Sequence, residues 1–154
     1  MKILIATDGS EHSEAAVETA SSIFSRRKDI SVKVVSAYET PAAIAAEPFS
    51  VPADVFQEVV DMERTKSENR TICAISVFRK RAESADIQLS SCVGLGRPAS
   101  VIIDVAGDWD ADLIIVGSHG SGLWKRTMLG SVSDAVVHHA PCSVLVVRPP
   151  AADK

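Results

Sequence analysis

Leu113–Ser131, LIIVGSHGSGLWKRTMLGS, is the stretch on which the fold turns. It opens with the four-residue apolar run Leu113–Val116, is punctuated by Gly117, Gly120 and Gly130, and delivers the chain at Ser131 into a helix-like segment. A short, wholly apolar run reads as a strand buried on both faces. A glycine-rich turn from such a strand into a helix is where α/β proteins hold phosphate. Glycine lets the backbone approach an anion and adopt φ > 0, and a helix N-terminus presents unpaired N–H groups in a favourable dipole. A nucleotide is therefore the first ligand to consider.

Outward from this stretch, apolar runs alternate with helical patterns. Ile3–Ala6 is a second buried strand, after which Asp8 or Ser10 caps a helix, with Glu11 placed for a capping box with Asp8. In that helix Ala15, Ala16, Thr19, Ala20, Ile23 and Phe24 recur on one face, up to the basic stop Arg26–Lys28. Val32–Tyr38 is a strand, Pro41–Pro52 a Pro/Ala-rich connection, and a long helix from about Asp54 to Ala85 carries Val55, Val59, Met62, Ile72, Ile75 and Phe78. Gln88–Val93 reads as a strand, Pro98–Ala106 as a helix opening on proline, Ser131–His139 as a helix and Ser143–Val147 as the last strand before Pro149-Pro150. This alternation predicts an α/β fold, one open five-stranded parallel sheet with helices on both faces; the strand order taken for it is 3-2-1-4-5. One domain over residues 1–149 is expected, with a short tail at 150–154. In that order the ends of the first, second and fourth strands share one cleft.

Composition narrows the class. A net charge of −4 over 154 residues argues against broad nucleic-acid binding, and Arg26–Lys28 and Arg79–Arg81 read as helix ends. Asp104, Asp108, Asp110 and Asp112 break the likeliest spanning run, and MKILIATDGS is too short for a signal peptide. Cys73, Cys92 and Cys142 lack metal or CxxC spacing and read as reduced, mostly buried thiols of a cytoplasmic protein. P-loop, G-x-S-x-G, H-E-x-x-H, HxGH and SGGxDS patterns are absent, so the chain reads as a binder rather than a fast enzyme. Gly94-x-Gly96-x-x-Ala99 mimics a dinucleotide fingerprint, but no acidic residue closes the next strand. Lys125 and Arg126 lie in the loop, either solvated or near terminal phosphates. His119 is a turn residue with an unusual backbone angle or a polar contact. His138-His139 complement a helix dipole, and Trp109 and Trp124 pack rather than stack on a base.

The Gly117-x2-Gly120-x9-Gly130-Ser131 spacing resembles the nucleotide signature of ATP-binding universal stress proteins. The opening Ile3–Ser10, Gly96-x-Pro98 and the ending Ala140-Pro141-Cys142-x-Val144-Leu145-Val146-Val147 are similar to that family as well; Ser143 stands where the family often has proline, and about Pro41–Arg70 carries no family signal. The resemblance implies an adenine nucleotide alpha hydrolase-like, Rossmann-like fold and ATP, with Mg²⁺, as ligand. It implies adenine and ribose contacts from Ala6, Thr7, Asp8 and the backbone of Ala37, and phosphate contacts from Val116, Gly117, Gly120, Gly130, Ser131 and Val132. Asp8 is either a ribose or metal-ion contact or simply a helix cap. The expected function is a nucleotide-dependent stress sensor or regulator with an unidentified protein partner. The alternatives are a slow ATPase or self-phosphorylating enzyme, with Ser121 or Ser131 near the γ-phosphate, and a dimeric scaffold without nucleotide. No resident metal site and no catalytic residue are assigned. Pairing of Ser143–Val147 across a two-fold axis would give a homodimer and protect an apolar edge. Gly117→Val and Gly130→Val are both expected to abolish nucleotide binding and leave the fold intact.

Overall fold

The computed structural model describes residues 1–41, 52–82, 86–119 and 129–149. Its elements are β1 (Lys2–Ala6), α1 (Glu11–Phe24), β2 (Ser31–Tyr38), α2 (Ala53–Arg81), β3 (Gln88–Leu95), α3 (Pro98–Asp108), β4 (Leu113–Gly117), α4 (Ser131–His139) and β5 (Ser143–Val147). The strands form one parallel sheet, as the alternation predicts, in the expected order β3-β2-β1-β4-β5. The order in which strands are added reverses between β1 and β4, which run parallel with Ile3 paired to Leu113 and Ile5 to Ile115.

Strand alternation splits the core into two layers. Ile3, Ile5, Val32, Val34 and Ile115 face α1 and α2, meeting Ala16, Val17, Ala20, Ala74 and Phe78. Leu4, Ala6, Val35, Ile114 and Val116 face the other side, meeting Val101, Ile102, Ala106 and Val136 of α3 and α4. Both sides of the central strands are thus covered, which is why they read as continuous apolar runs.

Local details differ from the sequence reading in three places. The buried stripe of α1 is Ser13, Ala16, Val17, Ala20, Ser21 and Phe24, so the expected face is rotated and Ile23 lies 56% exposed. Ser13 and Ser21 tolerate burial because their hydroxyls donate to Ser10 O (2.9 Å) and Glu18 O (2.7 Å). In α2 the buried residues are Ser67, Thr71, Ala74 and Phe78, while Val55, Met62 and Ile72 are exposed. Only the C-terminal half of this 29-residue helix packs as core, so apolar type alone misjudged its face. The cysteines are free, as expected, but not buried: Cys73 is exposed and Cys92 and Cys142 are half-buried. Partial desolvation pushes both half-buried thiols up.

Glycine at the dinucleotide look-alike has a packing cause. A Cβ on Gly94 would sit 2.6 Å from Val101 Cγ1, and Gly96 has φ +134°. The pair lets α3 lie close on β3. Trp109 packs against the α3–α4 layer with Lys33 Nζ 4.5 Å from its ring centroid, in keeping with a structural role. Trp124 lies outside the described residues.

Candidate functional site

At the carboxyl ends of the strands lies a cleft of about 850 Å³. Its lining includes Ala6, Thr7 and Asp8 after β1, Ala37 on β2, Val116 and Gly117 on β4, and Gly130, Ser131 and Val132 at the head of α4. These are the residues expected from sequence, with the exception of Gly120. Gly120, Ser121, Lys125 and Arg126 lie outside the described residues. The three strand ends therefore converge as the topology requires, at the switch point between β1 and β4.

One wall is apolar. Ala6, Val35, Ile102, Val116 and Pro98 present aliphatic surface between the sheet and α3, a shape suited to a flat ring system. The other end is polar and belongs to α4. Gly130 is its N-cap with φ −67° and ψ 158°, and no side chain caps the helix. The first N–H groups of α4 thus lack a capping acceptor, and the dipole's positive end points at the cleft. Gly130 N–H donates to Ser118 O (2.8 Å), and Ser133 Oγ donates to Ser118 O (3.0 Å) and Gly130 O (2.9 Å). These bonds pin the head of α4 against the end of β4.

At the β1 turn Ser10, of the two expected caps, is the one that caps the helix, and the expected capping box does not form. Ser10 is the N-cap of α1, its hydroxyl accepting from Ser13 N–H at 3.4 Å, so Glu11 is the first helical residue and no capping box forms with Asp8. Asp8 Oδ1 instead accepts from Ser10 N–H (3.0 Å) and Ser10 Oγ (2.6 Å), which rigidifies the turn beneath it. Gly9, at φ +77°, makes that turn possible.

Gly117 also has a reason other than the one expected. Its φ is not positive, and a Cβ there would lie 2.6 Å from His12 O and 2.7 Å from His12 C. The missing side chain admits the first turn of α1. Gly117→Val therefore damages the fold, contrary to the expectation of an intact one.

Sequence reading missed several lining residues, among them Ser13, Ser36, Arg70 and Ser133. Arg70 comes from α2, in the stretch without family signal. Its Cγ packs 3.3 Å from the Cβ position of Gly9, and its Nη1 donates to Ser67 Oγ at 3.4 Å. Ser67 Oγ in turn donates to Ala37 O (3.2 Å). The signal that could have found it is a cation one turn after Ser67 and next to Thr71, two small hydroxyl residues on an otherwise charged helix. Among the described residues, two polar atoms of the lining, Ser36 Oγ and His119 Nε2, are buried without a hydrogen-bond partner. Such orphans are rare enough to ask what fills them. His119 has no positive φ, so the backbone-angle explanation for it fails and the polar-contact reading stands. His138 and His139 occupy the last turn of α4, with His138 Nε2 3.8 Å from Asp134. Among the described residues no group of three or more His, Cys, Asp or Glu is placed to hold a metal ion.

Comparison with known proteins follows this geometry. Residues 1–148 match the model of the Universal stress protein family. A Staphylococcus saprophyticus protein carrying the universal stress protein designation is 35% identical over 149 residues, covering 95% of this chain and 82% of that protein. Universal stress protein UspA from Lactobacillus plantarum superposes with a TM-score of 0.76 at 26% identity, covering 96% of this chain and 97% of the other. A family member from Arabidopsis thaliana, solved with AMP bound, shares the fold at a TM-score of 0.69 and 17% identity over 98% of this chain and 93% of the other.

Proposed function

The chain belongs to the universal stress protein family, and from that premise we propose that it binds ATP with Mg²⁺ and acts as a nucleotide-dependent regulator of a stress response. The observation that carries this reading is the convergence of an apolar wall and an uncapped helix N-terminus in one cleft. The base packs between Ala6, Val35 and Ile102, with Ala37 backbone and Asp8 toward the base edge and ribose. The phosphates sit on the N–H groups of Ser131 and Val132, next to the Ser131 hydroxyl. Mg²⁺ commonly keeps its waters and takes one or two carboxylates along with the phosphates. Asp8 and Asp134 are the carboxylates in the lining, and neither needs a preformed cage. An AMP-bound structure in the same fold is consistent with this orientation of interest toward adenine nucleotides.

Regulation follows from where the ligand sits. Phosphate at the head of α4 engages the same backbone that pins α4 to Ser118, so occupancy biases the surface around that junction toward or away from a protein partner. β5 is an edge strand with half-buried Val144, Leu145 and Val146. Pairing with its copy about a two-fold axis would cover that edge and give a homodimer. Sedimentation at micromolar concentration tests it, and a monomer mass would refute it. No helix among the described residues is long and apolar enough to cross a membrane, and the cytoplasm is the proposed location. Slow hydrolysis or self-phosphorylation is the second reading, resting on Asp8 in the lining. Phosphate release that scales with protein and vanishes in Asp8→Ala would establish it.

A thermal-shift series with ATP, ADP, AMP and GTP tests the primary reading. A ligand at 100 times its dissociation constant stabilises a fold by about 2.7 kcal/mol. Stabilisation by adenine nucleotides above GTP is expected. No shift with any of them at millimolar concentration would retire the proposal.

A further inference from the structure

We propose that His119 is a phosphate ligand of the cleft, donating its Nε2–H to a phosphate oxygen, and that His12 positions it through Ser118. The inference rests on reading the cleft as a nucleotide site. It begins at Gly117, whose bare Cα lets the first turn of α1 approach the end of β4. That approach brings His12 Nδ1 within 3.3 Å of Ser118 Oγ, across 106 positions of sequence. His119 Nδ1 lies 3.3 Å from the same oxygen, and the two imidazole centroids are 5.2 Å apart.

Ser118 is a fixed post for these rings. It is 1% exposed, its N–H donates to Val147 O (2.7 Å), and its carbonyl accepts from Gly130 N–H and Ser133 Oγ. A hydroxyl has one proton, so it donates to one imidazole and accepts from the other. If it donates to His119 Nδ1, then His12 Nδ1–H donates to Ser118 and His119 carries its own proton on Nε2. If the roles reverse, His119 Nε2 is a bare lone pair. Either way that nitrogen is buried and has no hydrogen-bond partner among the described residues. Phosphate oxygens only accept, so phosphate fits the first arrangement and is repelled by the second. Phosphate at Nε2 thus selects the arrangement in which His12 Nδ1–H donates to Ser118 Oγ and Ser118 donates to His119 Nδ1. Asp8, Asp134 and Arg70 share the cleft lining, and Arg148 follows β5 beside this junction. Among the described residues no hydrogen bond from these groups reaches His119 Nε2.

The test is long-range proton–nitrogen NMR of histidine-labelled protein, paired with titrations of ATP, tripolyphosphate and adenosine. In the ATP complex His119 should be protonated at Nε2, and that nitrogen should shift on addition of ATP or tripolyphosphate but not of adenosine. His119→Ala should weaken ATP about ten- to hundredfold, the range for a hydrogen bond to a charged group, and leave adenosine unchanged. His119→Gln keeps an amide donor and should recover part of the loss, which separates lost contact from lost fold. His12→Phe should release the tautomer and weaken ATP severalfold, whereas His12→Gln, which keeps a donor for Ser118, should restore both. An Nδ1–H tautomer of His119 in the complex, or unchanged ATP affinity in His119→Ala, overturns the proposal. Tripolyphosphate binding that needs His119, without preference for adenine, would leave the contact standing and remove the ATP reading. Binding of neither ligand by the unmodified protein would remove both.

Discussion

Gly117, ending β4, and Gly130, capping α4, bound the same loop and line the same cleft, yet packing accounts for the first, whereas the second is proposed to serve ligand approach. At Gly117 the space of a side chain is taken by the His12 backbone at 2.6 Å. At Gly130 the backbone has ordinary extended angles that any residue can take, and what matters is the uncapped helix end behind it. A motif read as one phosphate cradle is thus two devices placed side by side. The first fixes where α1 and β4 meet, and the second presents N–H groups to whatever occupies the cleft.

Substitution separates the two. The largest effect expected is Gly117→Val, which forces backbone apart and should cost about 3 kcal/mol or more. At roughly 2–4 °C per kcal/mol for a chain of this size, the melting temperature would fall by about 6–12 °C or folding would fail. A melting temperature within a degree or two of the parent would break the comparison. Gly130→Val should cost no more than about 1 kcal/mol, the scale of a lost good N-cap, while weakening ATP about tenfold or more. Ser133→Ala removes the hydroxyl bonds to Ser118 O and Gly130 O and should cost about 1–2 kcal/mol. Denaturant titration of all three would rank them, and equal losses for Gly117→Val and Gly130→Val would contradict the division of roles. The smallest effect concerns thiols. Cys73 is exposed, whereas desolvation raises Cys92 and Cys142, so a thiol reagent at neutral pH should modify Cys73 first. Labelling of the other two should accelerate only at higher pH, because a raised thiol ionises later. Faster labelling of Cys92 than of Cys73 would go against that placement.

The sheet was legible because its evidence is local. Ile3–Ala6 and Leu113–Val116 are continuous apolar runs and Val32–Tyr38 is apolar but for Lys33 and Ser36, as burial on both faces requires of central strands. Convergence of Asp8, Ala37 and Ser131 followed from strand order alone. What stayed hidden depends on contacts distant in sequence. The tight approach of His12 to Gly117 has no trace in either neighbourhood, and neither has the reach of Arg70 over Gly9. The face of α2 was misjudged because Val55, Met62 and Ile72 are apolar yet exposed, while Ser67 and Thr71 are polar yet buried. Side-chain hydrogen bonds to Ala37 O and Glu68 O make that burial possible, and no apolar periodicity reports them. At the β1 turn Asp8 and Ser10 are both good caps, and the choice between them fell to the φ +77° of Gly9.

The central claim is that the head of α4 holds the phosphates of an adenine nucleotide. Calorimetric titration of ATP with Mg²⁺, with GTP as control, into the unmodified chain and Gly130→Val tests it most directly. Saturable binding of ATP, tighter than GTP and lost or weakened about tenfold or more in a folded Gly130→Val, is the predicted result. No heat at millimolar ATP, or equal affinity in the two proteins, would contradict it.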